Sequence, residues 1–277
     1  MKHILSTHLF VNHRLTGAML TRIQKTGITA VEIFCARQHL DYRDKAQVTE
    51  LGHWFRDSEL TLFSMHAPMY NDEIWGRSGP HSVITITETV KGRRLEMVDE
   101  IKRSIEVAET IPFEFLVQHI GVGGEEFDMR KFDAAFSALE ELTIFARQRG
   151  VQILLENIPN ELSTPERLLM FNELTHLDLD FVFDTGHAHM TGGVEPAFQL
   201  MQEKIRSTHV HDNDGKNDSH VFPLVGEGGT IDWKNTMQLL RSRGDGQYPL
   251  LLELKEKPDA GAPLDSVQEI FDWLENL

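Results

Sequence analysis

The stretch HVHDNDGKNDSH, from His209 to His220, concentrates side chains that can carry out chemistry. Its residues include three histidines and three aspartates. A solvated loop can be this polar by chance, but imidazole and carboxylate groups are also the donors that divalent cations accept together. The stretch therefore raises the hypothesis of a metal site, which requires further donors from elsewhere in the chain.

Such donors lie near the ends of short apolar runs that resemble β-strands. In QILLENI, the side chains of Gln152, Leu154 and Glu156 share one face, because successive strand residues alternate between faces. In PLLLELK, Glu253 lies opposite a row of leucines that should pack under helices. The same alternation places six ionisable side chains inward at the strand ends: His66, His119, Glu156, Asp184, His211 and Glu253. These groups would repel or desolvate one another unless cations joined them, so the pattern predicts a metal centre.

The elements that must position these groups alternate along the whole chain. Strand-like apolar runs occupy 3–10, 30–36, 61–68, 115–121, 152–158, 180–186, 207–213 and 249–255. Helix-like stretches occupy 45–59, 92–111, 131–150, 164–176, 194–205, 232–243 and 264–276. The alternation predicts an α/β fold, a single (β/α)8 TIM barrel over residues 1–277, with its site at the C-terminal ends of the strands. A doubly wound open sheet is the alternative.

Composition narrows the class of partner. The 27 basic and 43 acidic residues give a net charge of −16, which argues against a nucleic-acid partner, because nucleic-acid binders usually carry a basic surface. No apolar run reaches the roughly 18 residues of a membrane-spanning helix. The chain start does not have the features of a signal peptide, and the single cysteine excludes an internal disulfide. We therefore expect a cytoplasmic protein with a small-molecule partner.

Eight short motifs follow one another at barrel spacing over nearly the whole chain: SMHAP, VQHIG, LLENIP, FDTGHAHM, HVHDND, DSH, GEGGTIDW and LLLELK. Together they resemble the xylose isomerase-like barrel superfamily, also called apurinic endonuclease family 2. The sugar epimerases of that superfamily hold one divalent metal, and the resemblance implies the ligands Glu156, Asp184, His211 and Glu253. Endonuclease IV holds three zinc ions, and its additional ligands match His66, His119, His187, Asp218 and His220.

The resemblance implies two main chemistries. A sugar or sugar phosphate isomerase or epimerase would use one ion of manganese, zinc, magnesium or cobalt. Its residues Glu156 and Glu253 would act as general base and acid next to a carbonyl, and His187 and Lys216 would contact the substrate. An endonuclease IV-like phosphodiesterase, acting on abasic DNA or another phosphodiester, would use the same glutamates as ligands of up to three zinc ions. Dehydration of a keto-inositol and non-catalytic sugar binding are further alternatives.

Three residues are candidates for substrate binding. Tyr70 and Trp75 lie in the long connection after the third strand, where they could form a substrate wall or a lid that packs on the barrel. Asn157 directly follows Glu156. The resemblance also implies a homo-oligomer.

Two inward residues near the predicted site have more than one interpretation. His209 is expected one layer deeper than His211, as a packed and hydrogen-bonded barrel residue. Glu32 in VEIF is expected to point inward, either to orient a neighbouring group or as a simple paired carboxylate.

Overall fold

Eight parallel β-strands form one sheet in the structure, a computed structural model that describes residues 1–224, 226–243, 248–256 and 263–277. The strands are β1 (His3–Ser6), β2 (Ala30–Phe34), β3 (Thr61–His66), β4 (Phe115–Gln118), β5 (Gln152–Glu156), β6 (Asp180–Asp184), β7 (Ile205–His209) and β8 (Leu250–Leu252). Neighbouring strands follow chain order from β1 to β7, and β8 pairs with β1. All but β7 fall within the predicted runs, and β7 begins two residues before its run.

The sheet closes on itself between β7 and β8. Val210 and Leu252 form a parallel bridge just beyond the end of β7. The Val210 N–H donates to the Leu251 carbonyl at 2.8 Å, and the Glu253 N–H donates to the Val210 carbonyl at 3.2 Å. Because each strand is also followed by a helix, this closure confirms the (β/α)8 barrel and excludes the open sheet.

The described residues contain nine α-helices. They are α1 (Gly17–Gln24), α2 (Lys45–Arg56), α3 (Lys91–Ile105), α4 (Met129–Arg147), α5 (Pro165–Leu174), α6 (Thr185–Thr191), α7 (Val194–Met201), α8 (Trp233–Arg241) and α9 (Pro263–Glu275). None of these helices combines the length and the apolar content that a membrane span requires. The predicted stretches overlap seven of the nine and run past their C-terminal ends. The predicted 92–111 stretch, for example, divides into α3 and a 3-10 turn at Glu106–Glu109.

The helices α1 and α6 were not predicted. Helix α1 has eight residues and α6 has seven, so each offers little apolar periodicity, and the first residues of α6 fall within the predicted strand run 180–186. Helix α6 begins directly after β6, where Asp184 caps it by accepting the His187 N–H at 2.6 Å. This cap turns the end of a strand into the start of a helix without an intervening loop.

Apolar side chains fill the interior of the barrel, on the N-terminal side of the ionisable residues. The inner layer consists of Ile4, Ala30, Phe63, Phe115, Val117, Leu154, Val182 and Leu251. A larger apolar cluster packs between the strands and the surrounding helices. Ionisable residues follow the inner layer two positions later, as Glu156 follows Leu154 and Glu253 follows Leu251. They therefore lie next to the apolar inner layer, at the C-terminal end of the barrel.

Candidate metal centre

Six strands deliver an ionisable side chain to the C-terminal end of the barrel. Strands β3, β5, β6 and β7 end on such a residue, and β4 and β8 are followed directly by one. These residues are His66, His119, Glu156, Asp184, His209 and Glu253. Within the part of the chain that the structure describes, their nitrogen and oxygen atoms, with those of the following loops, form three groups of possible metal donors.

The central group consists of Glu156, Asp184, His209 and Glu253, whose donor atoms lie within 4.8 Å of one another. All four side chains are buried. The Nδ1 atom of His209 lies 3.0 Å from Glu156 Oε1 and 3.2 Å from Glu253 Oε2. This group thus brings both predicted catalytic glutamates to one nitrogen atom.

The central group differs from the predicted ligand set at one position, because it contains His209 in place of His211. In the sheet register Asp184 is aligned with His209, so these two residues lie at the same depth in the barrel. His211 lies two residues farther on, beyond the last residue of β7. His209 is fully buried, one layer deeper than His211, and the register of β6 and β7 places it beside the carboxylates.

The second group consists of His66, His119 and Glu156. The His119 Nε2 lies 2.9 Å from Glu156 Oε2 and 3.1 Å from His66 Nε2. The other ring nitrogen of His66, Nδ1, donates to the Ala67 carbonyl at 2.9 Å. This bond directs the Nε2 atom of His66 towards the group. Glu156 is shared between the central and the second group.

The third group consists of His187, His211, Asp218 and His220. Asp218 lies between two of the rings, with Oδ2 at 3.4 Å from His187 Nε2 and Oδ1 at 3.2 Å from His220 Nε2. The rings of His211 and His220 stack at 3.8 Å between centroids. His187 Nδ1 donates to the Asn157 carbonyl at 3.0 Å, so that its Nε2 also faces the group.

The carboxylates determine the charge of the central imidazole. Burial opposes protonation of His209, but Glu253, Glu156 and Glu32 outweigh it and raise the pKa of His209 well above its ordinary value. Burial also opposes ionisation of Glu156, yet His209 and His119 hold the pKa of Glu156 well below its ordinary range. The central group is thus a positive ring among negative carboxylates.

The third group shows the same balance of charges. Burial opposes protonation of His220, but Asp218 and Glu253 raise the pKa of His220 to about 9. Burial also opposes ionisation of Asp218, and hydrogen bonds from His187 and His220 nevertheless hold the pKa of Asp218 far below its ordinary value. Positive charge therefore stabilises Asp218 in the third group, as it stabilises Glu156 in the central group.

The chemistry of these donors fits a divalent cation. Each group supplies three or four donor atoms within 4.8 Å of one another. Mixed imidazole and carboxylate donors suit zinc, manganese and cobalt, and carboxylates also suit magnesium. A cation would supply the positive charge that the buried carboxylates need, while neutral imidazoles complete its ligand shell.

A cavity of about 180 Å³ opens at the site and is lined by residues of all three groups. One part of its wall is aromatic, with Phe34 and Trp75 in edge contact at 5.3 Å between centroids. His8, in the turn after β1, is also part of this wall, and its ring centroid lies 5.7 Å from that of Trp75. Burial and the neighbouring His220 lower the pKa of His8 well below its ordinary value. The cavity therefore combines an apolar surface with an ionisable one.

Of the three predicted substrate-binding residues, only Trp75 lines this cavity. Tyr70 packs edge-on against Trp75 at 6.0 Å and lies outside the cavity lining. The side chain of Asn157 is buried and binds the backbone of Asp184, donating to its carbonyl at 3.0 Å and accepting its N–H at 2.8 Å. Asn157 thus holds a donor residue in place, which corrects its predicted role in contacting substrate.

The basic residue at the cavity also differs from the prediction. Lys216 is exposed in the turn after β7 and lies outside the cavity lining. There its backbone N–H donates to Asp214 Oδ1 at 2.9 Å. Lys255 lines the cavity instead. Sequence alternation contained the signal, because Lys255 lies two residues after Glu253 in the run 249–255, which the sequence predicts as a strand.

Comparison with known proteins identifies the family. The family described as xylose isomerase-like TIM barrel matches residues 20–277. The chain belongs to this family. An uncharacterised protein of Methanocaldococcus jannaschii, MJ1311, is 30% identical over 98% of this chain and 90% of its own length.

Solved structures share the fold of this xylose isomerase-like barrel. A D-tagatose 3-epimerase-like protein is 24% identical with a TM-score of 0.78, covering 100% of this chain and 97% of its own. The IolI protein, solved with a bound zinc atom, is 18% identical with a TM-score of 0.75, covering 99% of this chain and 96% of its own. At these low sequence identities, the structural similarity establishes the barrel fold. The chemistry must be argued from the residues of the site.

Proposed function

We propose that this protein is a divalent-metal-dependent sugar or sugar phosphate isomerase or epimerase. The observation that supports it most is the convergence of Glu156 and Glu253 on His209 Nδ1, at 3.0 and 3.2 Å, at the wall of a cavity that both glutamates line. Two carboxylates from β5 and β8 that approach the same point can take a proton from one position of a substrate and return it at another.

The residues of the site would hold the cation and transfer the proton. Glu156, Asp184, His211 and Glu253 would hold the cation, which when bound supplies a Lewis acid that polarises the substrate carbonyl. One glutamate removes the proton next to that carbonyl and the other returns it. Because both glutamates are buried and fixed by neighbouring histidines, their position relative to the substrate contributes much of the rate.

The cavity wall supports a small polyol substrate. Trp75 and Phe34 offer aromatic surface to the C–H face of a sugar, while His187 and the glutamates offer polar atoms to its hydroxyl groups. Lys255 is the one lysine or arginine among the described cavity residues, and it is the group that would meet a substrate phosphate. We therefore infer that Lys255 makes the substrate contact that the sequence predicts for Lys216.

The decisive test is solvent-deuterium uptake into a panel of ketoses and ketose phosphates, in the presence of Mn²⁺, Zn²⁺, Mg²⁺ or Co²⁺. We expect uptake with the wild type and a loss of about 10²–10⁴-fold with Glu156→Gln, the range that a general acid or base contributes. Lys216→Ala is the matched surface control and should retain full exchange. Full exchange by Glu156→Gln would refute its role as the base.

An endonuclease IV-like phosphodiesterase is the second candidate, and the existence of three donor groups favours it. The net charge of −16 and the single lysine at the cavity argue against a DNA duplex as substrate. Elemental analysis of protein purified without added metal separates the candidates. One ion per chain supports the isomerase, whereas three zinc ions together with cleavage of an abasic oligonucleotide support the phosphodiesterase.

A further inference from the structure

A buried imidazole at the wall of the cavity has no hydrogen-bond partner in the protein. His8 lies in the turn after β1 and is 5% exposed. Its ring packs against other rings, with centroid distances of 4.7 Å to Phe34, 5.7 Å to Trp75 and 5.1 Å to His220. Within the part of the chain that the structure describes, the enclosed Nδ1 atom of His8 has no hydrogen-bond partner. An unpaired buried polar group costs stability, so a partner for this ring is expected from the cavity.

The other histidines of the cavity differ from His8 in this respect. Four further histidines line the cavity, and each has a hydrogen-bond partner in the protein: His66, His119, His187 and His220. The chain itself therefore fixes the orientation of these four rings. The ring of His8 is held by packing alone, so its polar atoms remain available to a bound molecule.

The surroundings of His8 determine which atom it offers to that molecule. Its neighbours are rings rather than carboxylates, and burial disfavours the charged form, so the imidazole is neutral. A neutral imidazole carries a hydrogen on one nitrogen and a lone pair on the other. A hydrogen on the enclosed Nδ1 would be left without an acceptor. The hydrogen is better placed on Nε2, which makes His8 an uncharged donor at the cavity wall.

We propose that His8 is a substrate-binding residue that donates from Nε2 to one hydroxyl group of the substrate, beside the aromatic surface of Phe34 and Trp75. This inference rests on the proposed function and adds to it a residue that selects the substrate. An uncharged donor fits an uncharged hydroxyl group, whereas a phosphate would require a cationic side chain such as Lys255. The two aromatic rings would pack against the C–H groups next to that hydroxyl.

The first test is the KM of the ketose into which the wild type exchanges solvent deuterium fastest. His8→Leu removes both ring nitrogens and keeps an apolar side chain against Phe34 and Trp75. Its KM should rise about 2–10-fold with kcat unchanged, the effect of losing one hydrogen bond to bound substrate. His8→Gln places an amide NH₂ near the position of Nε2 and should restore most of the affinity. His8→Phe keeps a ring without a donor and tests the inference if His8→Leu fails to fold.

Thermal unfolding without metal or substrate separates a ligand contact from a structural one. His8→Leu should leave the melting temperature unchanged or raise it, because it removes a polar atom that has no partner. His39→Leu is the matched control. His39 is a fully buried imidazole outside the cavity lining, and its Nδ1 donates to the His13 carbonyl. The control should lower the melting temperature by about 2–4 °C and leave KM unchanged.

Monodeoxy derivatives of the same ketose identify the hydroxyl group that His8 binds. The derivative that lacks this hydroxyl should have a KM about 2–10-fold above that of the parent ketose with the wild type. With His8→Leu, this derivative and the parent ketose should have the same KM, because the variant has no donor left to distinguish them.

The outcomes separate this inference from the proposed function. A higher KM in His8→Leu that His8→Gln restores, together with loss of the preference for the parent ketose, supports the role of His8. An unchanged KM in the folded apolar variants, or a higher KM with the preference retained, would overturn that role and leave the proposed function standing. A wild type that exchanges deuterium into no ketose or ketose phosphate would overturn the proposed function and this inference together.

Discussion

Replacing His209 with glutamine should destabilise the protein after a chelator has removed bound metal. The ring of His209 is fully buried, and its positive charge faces the carboxylates of Glu32, Glu156 and Glu253. Glutamine keeps a polar side chain in this position but carries no charge. The variant therefore leaves buried carboxylates without their counter-charge, and they must either remain uncompensated or take up protons.

The structure sets the size of this effect. Removing one partner of a buried ion pair costs about 3–5 kcal/mol, so His209→Gln should lower the free energy of unfolding by about that amount near neutral pH. For a chain of this size, 1 kcal/mol corresponds to about 2–4 °C, so the melting temperature should fall by about 6–20 °C.

The effect should depend on pH with a definite sign. The folded pKa of His209 is raised, so its stabilisation is complete below the unfolded value of about 6.5 and is lost only as pH rises through the folded value. In the variant, burial raises the pKa of the carboxylates, so the folded variant weakens as pH rises above about 4.3, the ordinary value for glutamate. The difference between the two proteins should therefore widen from about pH 5 to about pH 7.

Urea unfolding in EDTA at these two pH values, followed by circular dichroism, measures the difference. His211→Gln is the control, because His211 Nε2 contacts Asp184 at 3.1 Å and a glutamine can donate to the same carboxylate. We expect the control to lose about 1 kcal/mol, the contribution of one hydrogen bond. Equal losses in the two variants, or a loss in His209→Gln that does not grow with pH, would refute the charge assigned to His209.

Three further predictions concern the metal, the substrate and the packing. Carboxylates outweigh burial and raise the pKa of His220 to about 9, so Zn²⁺ binding should release protons, and Zn²⁺ affinity should increase as pH rises towards that value. Calorimetry in buffers with different heats of ionisation measures the number of protons released. A Zn²⁺ affinity that does not depend on pH would contradict the prediction. Lys255→Ala should raise the KM of a sugar phosphate substrate in steady-state assays, whereas Lys216→Ala should not; equal effects would contradict the cavity assignment. In Gly186→Ala the new Cβ would overlap the His211 ring, so the free energy of unfolding in urea should fall by about 1–3 kcal/mol. An unchanged free energy of unfolding would contradict this packing.

The barrel and most of the donor residues could be predicted from strand alternation. In β5 and β8, one face is apolar towards the helices and the other ends in Glu156 or Glu253. That pattern needs only the two-residue period of a strand, which is a local property of the chain. The convergence of these two side chains on one point then follows from closure of the sheet.

The neighbours of each histidine could not be predicted in the same way. Alternation places His209 and His211 on the same face with His209 one layer deeper, but it does not show which of them is level with Asp184. The register between β6 and β7 does, because it aligns His209 with Asp184. Register depends on contacts between distant parts of the chain, and a local pattern does not contain it.

Loop conformation was a second feature that could not be predicted from the sequence. Lys216 lies in a turn whose shape is fixed by Asp214, which accepts the backbone N–H groups of Lys216 and Asn217 at 2.9 and 2.7 Å. Such a turn directs side chains by local hydrogen bonds that leave no apolar period in the sequence. Lys255 keeps the two-residue alternation of the predicted run 249–255, although it lies beyond the end of β8.

The role of Glu156 depends on how many cations the site holds. Its Oε1 contacts His209 at 3.0 Å in the central group, and its Oε2 contacts His119 at 2.9 Å in the second group. A cation held by the central group alone leaves Oε2 free to move a proton, with the His119 ring beside it to stabilise the ionised form. If both groups held cations, Glu156 would serve as a ligand in each, and neither of its oxygens would be left to act as a base. The choice between isomerase and phosphodiesterase chemistry therefore reduces to whether the pair of rings from His66 and His119 binds a cation or serves the carboxylate as hydrogen-bond donors.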